Sequence, residues 1–553
     1  MTVRRLFPFL SLSLVILLLA DSGQARLNED RQAALSRFEQ VYHELLNRYV
    51  TDVDGDKLVR AGIEGMLDEL DPYTQYIEQS NAHRIDALTD GEYGGVGIRL
   101  GRIGDTLVVI SPMDGTPAER QGIQAGDIIL AIDSVRTREL SLNEAANLVR
   151  GTPGTPVKLL IRRNGNGEPE EYDLVRELIK VQDVSYSGLI QSGVGYIKLA
   201  NFSRNTSEQV EQAIRKLQQT QLDGLVLDLR GNPGGLLSSA LRTADLFTPQ
   251  GVLLLETRGR IKRANRRYMA RRRPVLQSDI DLFVLVDYGS ASAAEILAGI
   301  LQDYDRAVLL GDETFGKGLV QTVFTLNPET RLKMTTAKYY LPSGRLIQRQ
   351  DFGADVRLDD LLEPDSLSHY SARRRPVSGG GGISPDIAVE AYPQTVLEKD
   401  LWRRSCFFKF AVDHTAGRKD LTLPYHADDA TISDMRTWLQ EKELTPRTAM
   451  QRWLADLPQE ELTFLGADDS LQWLTESLRR RVTDLWEFEF QREAHRIQRG
   501  IEMEVSRILG GQGARVAASL SGDPVINIAI HTLQTPGAVD AILGIPEAEI
   551  SSQ

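Results

Sequence analysis

Apolar positions recur at intervals of three and four near the start of the chain. Leu35, Phe38, Val41, Tyr42, Leu45 and Leu46 fall on one helical face. Helical patterning runs from Leu27 to about Leu88. It is interrupted at Leu70-Asp71-Pro72-Tyr73-Thr74, because proline disfavours helix in the residue before it. Strands are then predicted around Leu107–Ser111, Ile128–Ile132 and Val157–Arg162. A short amphipathic helix on Leu142, Ala145, Ala146 and Val149 ends at Gly151. Beyond it, strands and helices alternate: strand Val194–Leu199, helix Ser207–Gln218, buried strand Leu222–Leu229, helix Leu237–Leu246 and strand Phe283–Val286. A helix from Ala293 to about Tyr304 turns Ile296, Leu297, Ile300 and Leu301 inward, and Met334–Tyr340 is a further strand. Near the C-terminus, Leu471, Leu474, Leu478, Val482 and Leu485, then Ile497, Ile501, Val505 and Ile508, mark amphipathic helices. These are too interrupted for a long coiled coil and predict a helical domain packed on the core or on a second subunit. The fold class is an α/β multidomain one.

At 553 residues the chain exceeds one ordinary core, so two to four domains are expected. A hydrophobic fraction of 41% and a charged fraction of 25% are those of a soluble globular protein. The net charge of −13 argues against a nucleic-acid binder. The basic run from Arg258 to Arg273 reads as a solvated hairpin or loop. Ser366 to Gly382, with Arg373 to Arg375 and four glycines, reads as a mobile surface loop. The seven histidines are scattered without metal-ligand spacing, so no metal or other cofactor is implied. Cys406 is the single cysteine, expected buried and inert, and an intramolecular disulfide is impossible.

Candidate chemistry lies in Gly289-Ser290-Ala291-Ser292-Ala293-Ala294-Glu295-Ile296 and in the segment downstream of it. Lys317 comes 25 residues after Ser292 (317 − 292), inside Thr314-Phe315-Gly316-Lys317-Gly318, and Gln321 lies four further on (321 − 317). A serine hydroxyl needs an adjacent base. Lysine serves only when neutral, so its pKa must fall from about 10.4 towards 7–8 by desolvation. Phe315 is apolar, Gly316 and Gly318 permit close backbone approach, and Val320 to Thr325 reads as a strand leaving the site. Gln321 would orient the amine. Taken alone, Ser290 and Ser292 are also suited to capping the helix that starts near Ala293. The turn Arg230-Gly231-Asn232-Pro233-Gly234-Gly235, between a strand and a helix, offers backbone amides for a phosphate or an oxyanion.

These motifs resemble those of the carboxyl-terminal processing peptidases, PDZ-containing serine endopeptidases of the tail-specific protease family with a Ser–Lys dyad. The resemblance runs from about Leu45 to about Glu390. It implies Ser292 as nucleophile, Lys317 as general base and Gln321 as its support. It also implies an oxyanion hole from the Gly235 amide, with Gly234 as the alternative, together with the Ala293 amide. Asp303 matches a family position near the dyad, with a structural role favoured. Ala294 stands where a serine is common in the family and is read as packing. Tyr93-Gly94-Gly95-Val96-Gly97-Ile98 and Gly122-Ile123-Gln124-Ala125-Gly126-Asp127-Ile128-Ile129, with the strands and helix around them, resemble a PDZ domain. Gly95, Val96, Gly97 and Ile98 would then receive a peptide C-terminus as an added strand. The implied architecture is a PDZ domain inserted beside a crotonase-like α/β protease core, with helical N-terminal and C-terminal regions.

Arg4 and Arg5 precede an apolar run from Leu6 to Ala20, then Gly23-Gln24-Ala25. This predicts a cleaved export signal ending at Ala25, delivery to a bacterial periplasm and no membrane span after cleavage; an uncleaved inner-membrane anchor is the alternative. The expected division is 1–25 signal, 26–90 helical region, 91–177 PDZ domain, 178–390 protease core and 391–553 helical domain. The expected activity is endoproteolysis near the free C-termini of protein or peptide substrates, with the PDZ domain capturing those ends and gating the site. Self-association or an adaptor protein are further expectations. The competing readings are a non-catalytic PDZ scaffold and an assembly protein.

Overall fold

A computed structural model describes residues 30–78, 91–163, 167–191, 193–327, 330–349, 368–389, 394–444 and 469–544. The expected export signal lies outside the described residues.

The central sheet has six strands, in the order Val184–Gln191, Val194–Leu199, Gly224–Asp228, Asp281–Val286, Val308–Gly311 and Ile387–Ala388. The first pair is antiparallel and the rest are parallel. Helices cover both faces, as a parallel sheet requires. Thr206–Leu217, Leu237–Ala244 and Ala293–Asp303 pack on one face through Leu227, Val284 and Leu297. The other face carries the C-terminal helix Pro524–Gln534 through Val226, Phe283 and Ile526.

A second, antiparallel sheet reaches across the chain. Gln75–Glu78 pairs with Thr330–Tyr340, which also pairs with Leu319–Thr325 and Leu253–Arg258. The N-terminal region is therefore not wholly helical: after the helix Gly55–Asp68 it contributes a strand beside the strands that come after Lys317. The basic run is a hairpin, with Arg266–Met269 returning along Leu253–Arg258. The glycine-rich segment differs from the mobile loop expected. His369–Tyr370 pairs with Pro376–Val377. Arg375 forms ion pairs with Asp305 at 2.6 Å and Asp386 at 2.7 Å. Asp305, 70 positions earlier in the chain, and Asp386 thus fix one hairpin through Arg375.

Between 91 and 180, five main strands and the helix Leu142–Val149 enclose Val109, Ile129, Leu159 and Ala145. The helix starts with a capping box between Ser141 and Glu144. Entry and exit pair with each other, Glu92–Gly95 against Glu177–Lys180, so the two ends of the module are tied together. In the C-terminal region, Ile497, Ile501 and Val505 bury against Phe407, Phe410 and Met435, and Cys406 is fully buried among them. Leu474 and Leu478 of the helix Asp469–Arg492 remain exposed at 49% and 42%, whereas its Trp486 and Phe490 are buried in the same core. Leu35, Phe38 and Val41 are likewise exposed.

Candidate active site

The strand Asp281–Val286 ends in a turn that carries Ser292 to the N-terminus of Ala293–Asp303. Ser292 has φ 54° and ψ −112°, a conformation uncommon for a residue with a Cβ. Such strain persists only where surrounding structure enforces it. Ser290 does part of this: its Oγ donates to Leu229 O at 2.9 Å and accepts from Asp287 N at 3.1 Å. Ser290 is thereby a structural hydroxyl, while Ser292 is half-buried at the helix end. Ala294 is fully buried, in keeping with packing.

Lys317 Nζ donates to Gln321 Oε1 at 3.3 Å. It also lies 4.2 Å from the centroid of the Tyr73 ring. Burial, and then the positive charge of Lys333, hold its pKa down to about 8, against the opposing charges of Asp71 and Glu295. Among the described residues no hydrogen bond joins Ser292 to Lys317, and catalytic hydrogen bonds are often long without substrate. The glycines flanking Lys317 are required by close approach. A Cβ on Gly316 would lie 2.8 Å from Arg349 Cβ, and one on Gly318 would lie 2.8 Å from Gln348 N.

Two buried side chains fasten the serine turn to the lysine turn. The Glu295 carboxyl is wholly buried and accepts four hydrogen bonds. They come from Ser292 N at 2.7 Å, Thr314 Oγ1 at 2.5 Å, Gly316 N at 2.7 Å and Lys317 N at 2.9 Å. Burial raises its pKa, and the hydrogen bonds oppose that rise. The Tyr339 hydroxyl donates to Lys317 O and, at 3.4 Å, to Ser292 O. Neither residue stands out as a site residue in the sequence, nor does Tyr73. For Glu295 a signal exists: it stands three after Ser292, the spacing of a capping box.

The glycine turn packs directly on this assembly. A Cβ on Gly234 would sit 2.9 Å from both Ala293 N and Ser292 Cβ. The Gly234 amide donates to Asn232 Oδ1 at 2.9 Å. Among the described residues the Gly235 and Ala293 amides donate to no protein group. Asp228, at the end of the preceding strand, accepts from Tyr196, Lys198 and Arg230, and Arg230 reaches Asp523 at 2.9 Å. Asp303 lies apart in a buried ion pair with Arg345 at 2.8 Å, a structural arrangement.

In the 91–180 module, Gly95 sits in the ladder opposite Glu177, whereas Val96, Gly97 and Ile98 line a groove beside the Leu142–Val149 helix. Gly97 has φ 76°, and a Cβ there would lie 2.3 Å from Thr116.

Sequence comparison matches residues 193–358 to Peptidase family S41 and 108–163 to a PDZ domain. Residues 19–81 match the activating protease CtpB N-terminal domain, and 397–533 the C-terminal helical domain of a probable PDZ-protease. The carboxy-terminal-processing protease of Bartonella bacilliformis is 38% identical over 366 residues, 66% of this chain and 83% of that protein. A probable CtpA-like serine protease of Staphylococcus aureus is 35% identical over 336 residues; the match spans 60% of this chain and 66% of that protein. Among solved structures, the photosystem II D1 C-terminal processing protease is similar at 27% identity and a TM-score of 0.35, covering 64% of this chain and 86% of that one. Among the described residues no helix is long and apolar enough to cross a membrane.

Proposed function

The chain belongs to the carboxy-terminal-processing proteases, serine-type enzymes of peptidase family S41 that carry a PDZ domain, and from that premise we propose that Ser292 and Lys317 form its catalytic dyad. Neutral Lys317 takes the Ser292 proton as Oγ attacks the scissile carbonyl. The oxyanion is held by the Gly235 and Ala293 amides. Lys317 then returns the proton to the leaving amine, and water, activated by the same lysine, hydrolyses the acyl-enzyme. Gln321 orients the amine throughout. The observation that carries this reading is the Lys317 environment: an amine brought to about 8 by burial and held to the Ser292 turn by one carboxylate. With that pKa, about a tenth of Lys317 is neutral at pH 7, enough to act as base.

The substrates are exported proteins or peptides with free C-termini, received at Val96, Gly97 and Ile98, and the PDZ domain gates access to Ser292. The division into modules at about 91, 178 and 391 is part of this reading. The uncovered apolar face of 30–48 supports self-association. The test is cleavage of an unstructured protein with and without Ser292→Ala. Cleavage confined to the unsubstituted protein is expected, and equal cleavage by both would refute the assignment.

A further inference from the structure

We infer that the PDZ peptide groove is a composite site, completed by Arg507 of the C-terminal helical region, and that it selects chain ends in which acidic residues precede an apolar C-terminal residue. The inference rests on the reading that this groove receives chain ends.

The groove is a cavity of about 660 Å³, within the size range of ligand sites. One part is apolar, lined by Val96, Ile98, Ala146 and Val149, and suits the terminal side chain. The rest is cationic. Arg99 comes directly after Ile98 on the strand that a peptide would extend, Arg150 ends the facing helix, and Arg507 reaches in from the long helix Ala494–Leu520. Among the described residues no aspartate or glutamate lines the cavity.

Arg507 is held there by packing between the two regions. Phe408, Val412 and Ile508 bury against Val108, Ile110 and Ile128 of the PDZ domain. Immediately beyond, the helix breaks at Gly510 and Gly511, and Gln512 also lines the groove. The local charge is unbalanced. Glu504, 1% exposed, pairs with Arg507 at 3.1 Å and with Arg515 at 3.0 Å, so one carboxylate serves two guanidinium groups. Arg507 Nε is buried and has no hydrogen-bond partner among the described residues. Burial brings the Arg507 pKa down to about 10 against the opposing charge of Glu504, and Arg515 and Arg99 press it further in the same direction. A ligand carboxylate near Arg507 and Arg99 would offset this excess of positive charge. Arg150 is already stacked over the Tyr93 ring at 5.1 Å, so the other two arginines are the selective ones.

The test uses the full chain carrying Ser292→Ala and fluorescence anisotropy with labelled peptides of about eight residues, long enough to extend the strand. All end in alanine-valine. One has two glutamates just before that pair, the other two glutamines, and each is made with a free and an amidated end. The free glutamate peptide is expected to bind about tenfold more tightly than the glutamine one, a margin that falls as salt is raised. Arg507→Gln should bring the ratio to within about twofold by weakening the glutamate peptide more than the glutamine one, and Arg507→Lys should restore most of it. Arg99→Gln should lower the ratio less and, with the lysine variant, decides the matter if Arg507→Gln proves unstable on melting. Equal binding of the free peptides, or a ratio untouched by these substitutions, overturns the inference. If amidation weakens both peptides but glutamate gives no advantage, only the acidic selectivity fails. If amidation has no effect, the chain-end reading itself fails.

Discussion

The Lys317 amine faces the Tyr73 ring at 4.2 Å from its centroid, although the two stand 244 positions apart (317 − 73). The ring has two opposite effects. Its π face favours the charged amine, and its bulk keeps water away. Desolvation is the leading cause of the lowered pKa, so exclusion of water wins. Tyr73→Ala is therefore expected to hydrate Lys317, raise its pKa and cut the rate at pH 7 about tenfold or more, with recovery at higher pH. Tyr73→Phe keeps the ring and should remain near the unsubstituted rate. The check is the pH dependence of kcat/KM for a fluorogenic peptide with each variant.

Lys333, on the strand beside Gln75, is the second cause of the low Lys317 pKa. A base with a pKa of about 8 is mostly protonated at pH 7, so kcat/KM should rise with pH and level off above about 8. Removing a neighbouring positive charge makes protonation of Lys317 easier. The expected result for Lys333→Met is a profile displaced to higher pH, with a lower rate at pH 7 and the same plateau. A displacement to lower pH would contradict this electrostatic account.

Glu295 needs both oxygens as acceptors, because its four partners are all donors. Glutamine would present an amide to two of them. Leaving such buried groups unpaired costs about 1–3 kcal/mol each. Glu295→Gln should lower the melting temperature and reduce kcat more than KM changes, since the Ser292 and Lys317 turns lose their common tie. Calorimetry and steady-state kinetics on the same preparation would check both.

The N-terminal helix over 30–48 exposes Leu35 at 61%, Phe38 at 47% and Val41 at 59%. Such a contiguous apolar face marks an association surface. On the self-association proposal, light scattering should report an oligomer for the unsubstituted protein and a smaller species after Leu35→Glu with Val41→Glu. A monomer in both would remove the self-association proposal.

Much of the fold was legible because local pattern and tertiary context agree. Strand Gly224–Asp228 is buried on both faces and reads as a continuous apolar run, and Ser141 with Glu144 announces the helix at Leu142. The Ser292, Lys317 and Gln321 spacing suggested a dyad and its support, and the structure brings Lys317 and Gln321 into contact. Other features depend on long-range placement. Nothing local to Tyr73 indicates that a strand pairing at Gln75–Glu78 carries it over Lys317. Nothing local to Arg375 indicates the buried aspartates that fix its hairpin. The apolar period of 30–48 indicated a helix correctly, and the single chain leaves its apolar face exposed.

The most direct test of the central claim is the hydrolysis rate of Lys317→Ala, measured under single turnover across pH 6–10 with folding verified by circular dichroism. Loss of the base predicts a fall of at least about 10²-fold at every pH and no remaining rise through pH 8. A Lys317→Ala rate near that of the unsubstituted protein, with the same pH dependence, would contradict lysine as the base.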